Sequence, residues 1–143
     1  MARRILLDTG VVIALVNRRD RDHERCVAAL ASLRARLITV EGVLVEACHL
    51  LRKVPLGQRR AIELVLSTGT EVFPATPARL VRALELLARF EARRMDLVDA
   101  LLVVAAEELE VSEILTLDRR DFTTYRLPGN KGFTMLPPDG PAT

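Results

Sequence analysis

RILLDTGVVIALV, residues 4–16, carries a single acid, Asp8, inside an apolar run. Asp-Thr-Gly after a hydrophobic strand is how a retroviral-type aspartic protease presents its catalytic carboxylate. A strand ending in Asp-Thr is also how several metal-dependent phosphodiesterases begin. The two readings require different folds, the first all-β and the second built on strands alternating with helices. The remainder of the chain decides between them.

Residues 4–7 form a short buried strand ending at Asp8, and Val11 to Val16 continue as a helical turn or two. After the charged stretch NRRDRD, residues 17–22, the apolar residues Cys26, Val27, Leu30 and Leu33 recur at three- and four-residue steps, which predicts an amphipathic helix from His23 to about Arg36. LITV (37–40) reads as the second strand. A helix over 43–53 carries Val43, Ala47, Leu50 and Leu51 on one stripe and is stopped by Pro55 and Gly57. Another helix spans about 58–67, and EVF (71–73) is the third strand. Thr76-Pro77 then opens a helix to about Arg93, with Thr as N-cap and Pro in the first turn. LVDALLVVAA (97–106) is apolar on nearly every side except at Asp99, as expected of a central helix. EILTL (113–117) is the fourth strand, DRRDF (118–122) a turn, and GFTML (132–136) the last strand. Strands alternating with helices imply right-handed crossovers, hence an α/β fold: a three-layer α/β/α sandwich about a central parallel sheet. The expected organisation is one domain over 1–136 and a disordered tail over 137–143. This order counts against the protease, which needs many more strands and a glycine-rich flap.

Half of the 143 residues are apolar, enough for a core, and aromatics are scarce, with four Phe, one Tyr and no Trp. A base-stacking platform is therefore not expected. The formal net charge is +2, and 19 of the 21 basic residues are arginine, whose planar fork suits phosphate or a partner's carboxylates. Cys26 and Cys48 show no metal-ligand spacing and read as free thiols. Asp8 interrupts the one stretch resembling a signal peptide, and no apolar run approaches the roughly 18 residues of a membrane span. The expected location is the cytoplasm.

In open α/β sheets ligands bind beyond the carboxyl ends of the strands. Asp8 ends the first strand and Asp118 follows the fourth, so both point toward one crevice. Asp96 and Asp99, three apart, share the first turn of a helix, and Glu46 lies on the helix after the second strand. Carboxylates gathered in one place must stay protonated or bind a cation. Oxygen-only ligands favour Mg²⁺, with Mn²⁺ able to substitute. Asp96 has a second reading as the N-cap of its helix, and Asp121 reads as a loop or helix cap. Arg93, Arg94, Arg119 and Arg120 flank the acids and are candidates for gripping phosphates, with ordinary solvated arginines as the alternative. His23 reads as a packing or loop-capping residue.

LLDTG with Asp8, VLVEACHLL with Glu46, MDLVDALLVVAAEEL with Asp96 and Asp99, and ILTLDRRDF with Asp118 resemble the successive motifs of a PIN domain. The wording around 95–122 is similar to VapC toxins of type II toxin–antitoxin systems. The resemblance implies a Mg²⁺-dependent endoribonuclease in which Asp8, Glu46, Asp99 and Asp118 are the acidic quartet and Asp96 is auxiliary. It also implies a cognate antitoxin, and apolar helical surface adds the expectation of a homodimer. One position departs from the family pattern: Gly10 stands where Ser or Asn usually follows Asp-Thr, which removes a side-chain hydrogen bond that would orient the first acid or a phosphate. Gly10 is the feature that favours a competing reading, a PIN-like module that binds RNA or protein without cutting it.

Overall fold

The computed structural model describes residues 3–138. Its five strands are β1 (Arg4–Leu7), β2 (Arg36–Val40), β3 (Glu71–Phe73), β4 (Glu113–Leu115) and β5 (Thr134–Leu136). They pair entirely in parallel, in the order β3-β2-β1-β4-β5. Seven helices cover the sheet: α1 (Thr9–Val16), α2 (His23–Ser32), α3 (Glu41–Leu50), α4 (Gly57–Ser67), α5 (Pro77–Arg89), α6 (Leu97–Leu109) and α7 (Arg119–Thr124). This is the α/β/α sandwich that the alternation of elements predicts, and it excludes the all-β protease. The strand order reverses between β1 and β4, and a crevice opens beyond the carboxyl ends of such neighbours.

Several boundaries differ from the sequence expectation, each for a local reason. Asp8 caps α1, so that helix begins at Thr9 rather than Val11. The second helix stops at Ser32 instead of Arg36 because β2 takes Arg36, whose N–H bonds the Arg3 carbonyl at 2.9 Å and whose Cα pairs with Arg4. α3 follows β2 without a loop, two residues earlier than expected. The helix from Pro77 ends at Arg89, where Phe90 turns into the core. A short 3-10 turn (Glu91–Arg93) then leads to Arg94 in the left-handed region at φ 53°. DRRDF is not a turn: Asp118 caps a helix there.

The core is aliphatic. Ile5, Leu6 and Leu7 on β1, Ile114 and Leu115 on β4, and the unbroken run Ala100–Ala106 of α6 are all buried. A helix buried on nearly every side belongs at the centre of the packing, as the composition of α6 implies. The stripe on α3 is narrower than predicted: Val43, Ala47 and Leu51 are buried, but Leu50 is 55% exposed. His23 ties α2 to α1 through Nδ1 and the Ala14 carbonyl at 2.6 Å, a packing role. Cys26 is buried and Cys48 half-buried, and both are free thiols. Pro137 is buried and its carbonyl accepts from Arg119 at 3.2 Å, whereas residues 139–143 of the expected disordered tail lie outside the described residues. Among the described residues, no helix is long and apolar enough to cross a membrane.

These burial assignments are testable by truncation. Leu102→Ala, at a fully buried position of α6, should cost about 2–5 kcal/mol in urea unfolding. Leu84→Ala, at a 67% exposed position of α5, should cost about 0.5 kcal/mol or less. Equal losses would contradict this orientation of the helices.

Candidate active site

Three helices that begin at the crevice each begin on an aspartate. Asp8 Oδ1 accepts from Thr9 N at 2.8 Å, Asp96 Oδ1 from Asp99 N at 2.8 Å, and Asp118 Oδ1 from Asp121 N at 3.3 Å. Aspartate is favoured at this position because its oxygen satisfies a helix N–H that has no partner within the helix, and because the positive end of the helix dipole favours negative charge. The same local preference that starts α1, α6 and α7 therefore delivers three carboxylates to one place.

They line a cleft of about 470 Å³ together with Glu46, Asp99 and Asp121, and with Thr9, Gly10, Ile13, Leu50 and Leu117. All four acids of the expected quartet are brought together here, and Asp96 joins them while also capping α6. Of the four arginines singled out in the sequence, Arg94 lines the cleft. Arg119 turns its guanidinium toward Pro137, and Arg93 and Arg120 are exposed.

Asp8 forms the floor. It is 7% exposed, its backbone N–H bonds the Leu115 carbonyl at 3.0 Å, and its Oδ2 accepts from the fully buried Thr116 hydroxyl at 2.7 Å. The Thr116 Oγ1 also accepts from Asp118 N at 2.9 Å. One hydroxyl thus joins the first and last acids of the quartet across β1 and β4. Burial pushes the Asp8 carboxyl up to about 6, against the opposing pull of the bonds from Thr116 and Thr9, with Asp118 and Glu46 adding repulsion. Asp99 is pushed further, to about 8, by desolvation first and then by Asp96, Asp8 and Asp118, while the bond from Tyr125 pulls it back. Burial and the neighbouring Asp118 raise Asp121.

Among the described residues, the grouping near enough to share one ion overlaps the predicted quartet at Asp99 and Asp118. One oxygen each from Asp99, Asp118 and Asp121 lie within 4.8 Å of one another. Asp121, expected to be only a loop or cap residue, is thereby part of the site. Its signal was present as Asp-x-x-Asp at the start of a helix, the spacing of a capping box. Thr116 and Tyr125 were not singled out from sequence at all. Thr116 was legible only through strand alternation, lying two residues before Asp118. Tyr125 was legible only as the lone tyrosine of an aromatic-poor chain.

Comparison with known proteins agrees with this fold. The PIN domain family model matches residues 5–127. The chain belongs to the PIN-domain family. Ribonuclease VapC26 of Mycobacterium tuberculosis (strain ATCC 25618 / H37Rv) is 27% identical over 135 residues, spanning 93% of this chain and 100% of the relative. The crystal structure of M. tuberculosis VapC20, a sarcin-ricin loop cleaving toxin, is similar with a TM-score of 0.72 at 28% identity, covering 81% of this chain and 91% of that one. A toxin–antitoxin complex from Klebsiella pneumoniae shares the fold with a TM-score of 0.64 at 21% identity, covering 87% and 93% respectively.

The raised carboxyls give a stability prediction for the metal-free PIN domain. A carboxyl whose folded pKa exceeds its unfolded value makes the folded state bind protons more tightly. Its contribution is complete below the unfolded value near 4 and is lost as pH rises through about 6 for Asp8 and about 8 for Asp99. In chelator, the melting temperature should fall by several degrees between about pH 5 and about pH 8.5. Asp99→Asn should flatten that fall and raise the value at the alkaline end. A pH-independent wild-type melting temperature would contradict the assignment of buried like charges.

Proposed function

We propose that this PIN domain is a Mg²⁺-dependent endoribonuclease and the toxin of a toxin–antitoxin pair, cytoplasmic and with one catalytic domain over residues 1–136. The observation that carries the reading is the convergence of Asp8, Glu46, Asp96, Asp99, Asp118 and Asp121 on a single cleft at the sheet's switch point. The donor set fits a hard divalent cation: it is all carboxylate oxygen, three ligand atoms lie close enough for one ion, and the charge is costly without one. Asp99, Asp118 and Asp121 would hold it directly, with Asp8 and Glu46 completing the acidic surround. Mn²⁺ would substitute.

When bound, Mg²⁺ supplies a water of lowered pKa and stabilises charge developing on a phosphodiester. The rest is done by the chain. The N-cap bonds at Asp96 and Asp118 engage Oδ1 of each carboxylate, and both residues line the cleft. Thr116 keeps Asp8 and Asp118 in register. Arg94, which lines the cleft from a left-handed backbone position, would meet an RNA phosphate. Arg93, Arg119 and Arg120 lie outside the lining and would serve phosphates further along the strand. The apolar lining from Ile13, Leu50 and Leu117 gives a base or ribose a surface without aromatic stacking.

Exposed apolar side chains on helices carry the partner reading. Leu80, Val81 and Leu84 on α5, Ile62 and Leu66 on α4, and Val45 on α3 are each at least 42% exposed. Exposed apolar side chains gathered on a helix face are the kind of surface that an interface covers. A second copy of the chain and an antitoxin are the proposed occupants, the antitoxin placing an arginine among the carboxylates. The non-cutting alternative rests on Gly10, where a Cβ would meet Leu117 at 3.6 Å, an ordinary contact, so space does not require the glycine.

Asp8→Asn and Asp99→Asn should each abolish Mg²⁺-dependent cleavage of RNA while retaining the fold. Wild-type rates in both would remove the nuclease assignment. Asp96→Ser should keep both the helix cap and most of the activity, whereas Asp96→Ala should cost about 1 kcal/mol of stability. A large rate loss in the serine variant with unchanged stability would make Asp96 a ligand. In cells, the chain alone should arrest growth, and co-expression of the neighbouring antitoxin gene should restore it. Harmless expression without that neighbour would leave a PIN nuclease that is not a toxin.

A further inference from the structure

Tyr125 is the chain's one tyrosine and is completely buried. It follows α7, and its hydroxyl donates to Asp99 Oδ2 at 2.8 Å. Two aromatic edges hold the ring, Phe90 and Phe122, each with centroids at 5.2 Å, and Phe122 packs in turn on Phe133 at 5.4 Å. Four of the five aromatic residues of an otherwise aliphatic protein are therefore assembled behind one carboxylate. Packing alone does not require this. A phenylalanine would fill the same space without bringing a hydroxyl out of water, so the bond to Asp99 is what the oxygen contributes.

The chemistry of the donor matters. An arginine or lysine beside Asp99 would neutralise it and compete with a cation. A phenol gives a directional hydrogen bond and leaves the negative charge in place, and burial keeps the phenol protonated. Asp99 sits on the first turn of α6 and could swing between several rotamers. Occupying Oδ2 from a buried ring flanked by Phe90 and Phe122 leaves a defined direction for the carboxylate's remaining lone pairs.

We propose that Tyr125 is a positioning residue for the divalent cation, fixing the Asp99 carboxylate in the orientation that meets Asp118 and Asp121. The aromatic cluster, and not α6 alone, then sets the cation's place in the cleft. This inference rests on the metal-binding reading of the site given above.

The test is a Mn²⁺ titration without RNA, read by electron paramagnetic resonance on wild type, Tyr125→Phe, Asp99→Asn and the double variant. Tyr125→Phe keeps both ring contacts, and it should weaken Mn²⁺ binding by about tenfold, the usual consequence of losing a bond that orients a ligand. In the Asp99→Asn background the same change should add nothing further. Wild-type affinity in Tyr125→Phe overturns the inference, as does a loss of equal size in the Asp99→Asn background, which would mark an indirect structural effect. Absence of Mn²⁺ binding by the wild type overturns the metal reading itself, a distinguishable outcome. Because Tyr125 is the only tyrosine, 3-fluorotyrosine labels it alone and needs no destabilising substitution. Its fluorine resonance should move on addition of Mg²⁺ in wild type and stay fixed in Asp99→Asn. An unmoved wild-type resonance at saturating Mg²⁺ contradicts the proposal.

Discussion

The site is organised around a carboxylate kept out of water. Asp8 follows a strand in which Ile5, Leu6 and Leu7 are buried, and it reaches the cleft with each of its oxygens already engaged, one by Thr9 and the other by Thr116. The parallel pairing of β1 with β4 makes this possible, because it sets the end of one strand beside Thr116 and the start of α7. Removing that register would separate Asp8 from Asp118, and no single helix in the protein could restore the arrangement. Desolvation opposes charge on Asp8, the two hydrogen bonds favour it, and desolvation is the larger effect, so the carboxyl is raised to about 6.

Around that floor the acids are placed by rules that apply to any helix. Asp96 and Asp118 are N-caps, and each uses one oxygen for a backbone N–H. Helix caps contribute stability on their own account, about 1 kcal/mol each, so folding the helices and building the acidic cleft are not competing demands at these positions. The cost falls on Asp99, which caps nothing and is pushed up by burial and by three neighbouring acids. Tyr125 supplies its compensating hydrogen bond. A cation shared by Asp99, Asp118 and Asp121 would relieve the remaining repulsion, linking folding stability to metal binding.

Much of this was legible in the sequence, for identifiable reasons. The alternation of short apolar strands with periodic helices determines the class of fold, and the acids at strand ends and helix starts follow from where open sheets bind ligands. All four quartet acids do reach one cleft. The less legible parts depended on tertiary contacts. Whether Asp121 joins the site depends on DRRDF being helical, and that in turn depends on Asp118 acting as a cap. Leu50 fits the apolar stripe of α3 by periodicity but emerges at the rim of the cleft. Tyr125 and Thr116 act through partners 26 and 108 residues away in the chain, separations that no local pattern reveals. The flanking arginines were readable as charge but not as direction, since long side chains take their orientation from neighbours such as Pro137.

The central claim is that these carboxylates form one cation site on the switch point of the sheet, and anomalous diffraction tests it most directly. Crystals equilibrated with Mn²⁺ near neutral pH should show a single dominant anomalous peak bounded by Asp99, Asp118 and Asp121, with carboxylate oxygens about 2.1 Å away as for a small hard cation. An empty cleft at saturating Mn²⁺, with the acids instead turned onto arginine side chains or protonated and bonded to one another, would contradict it.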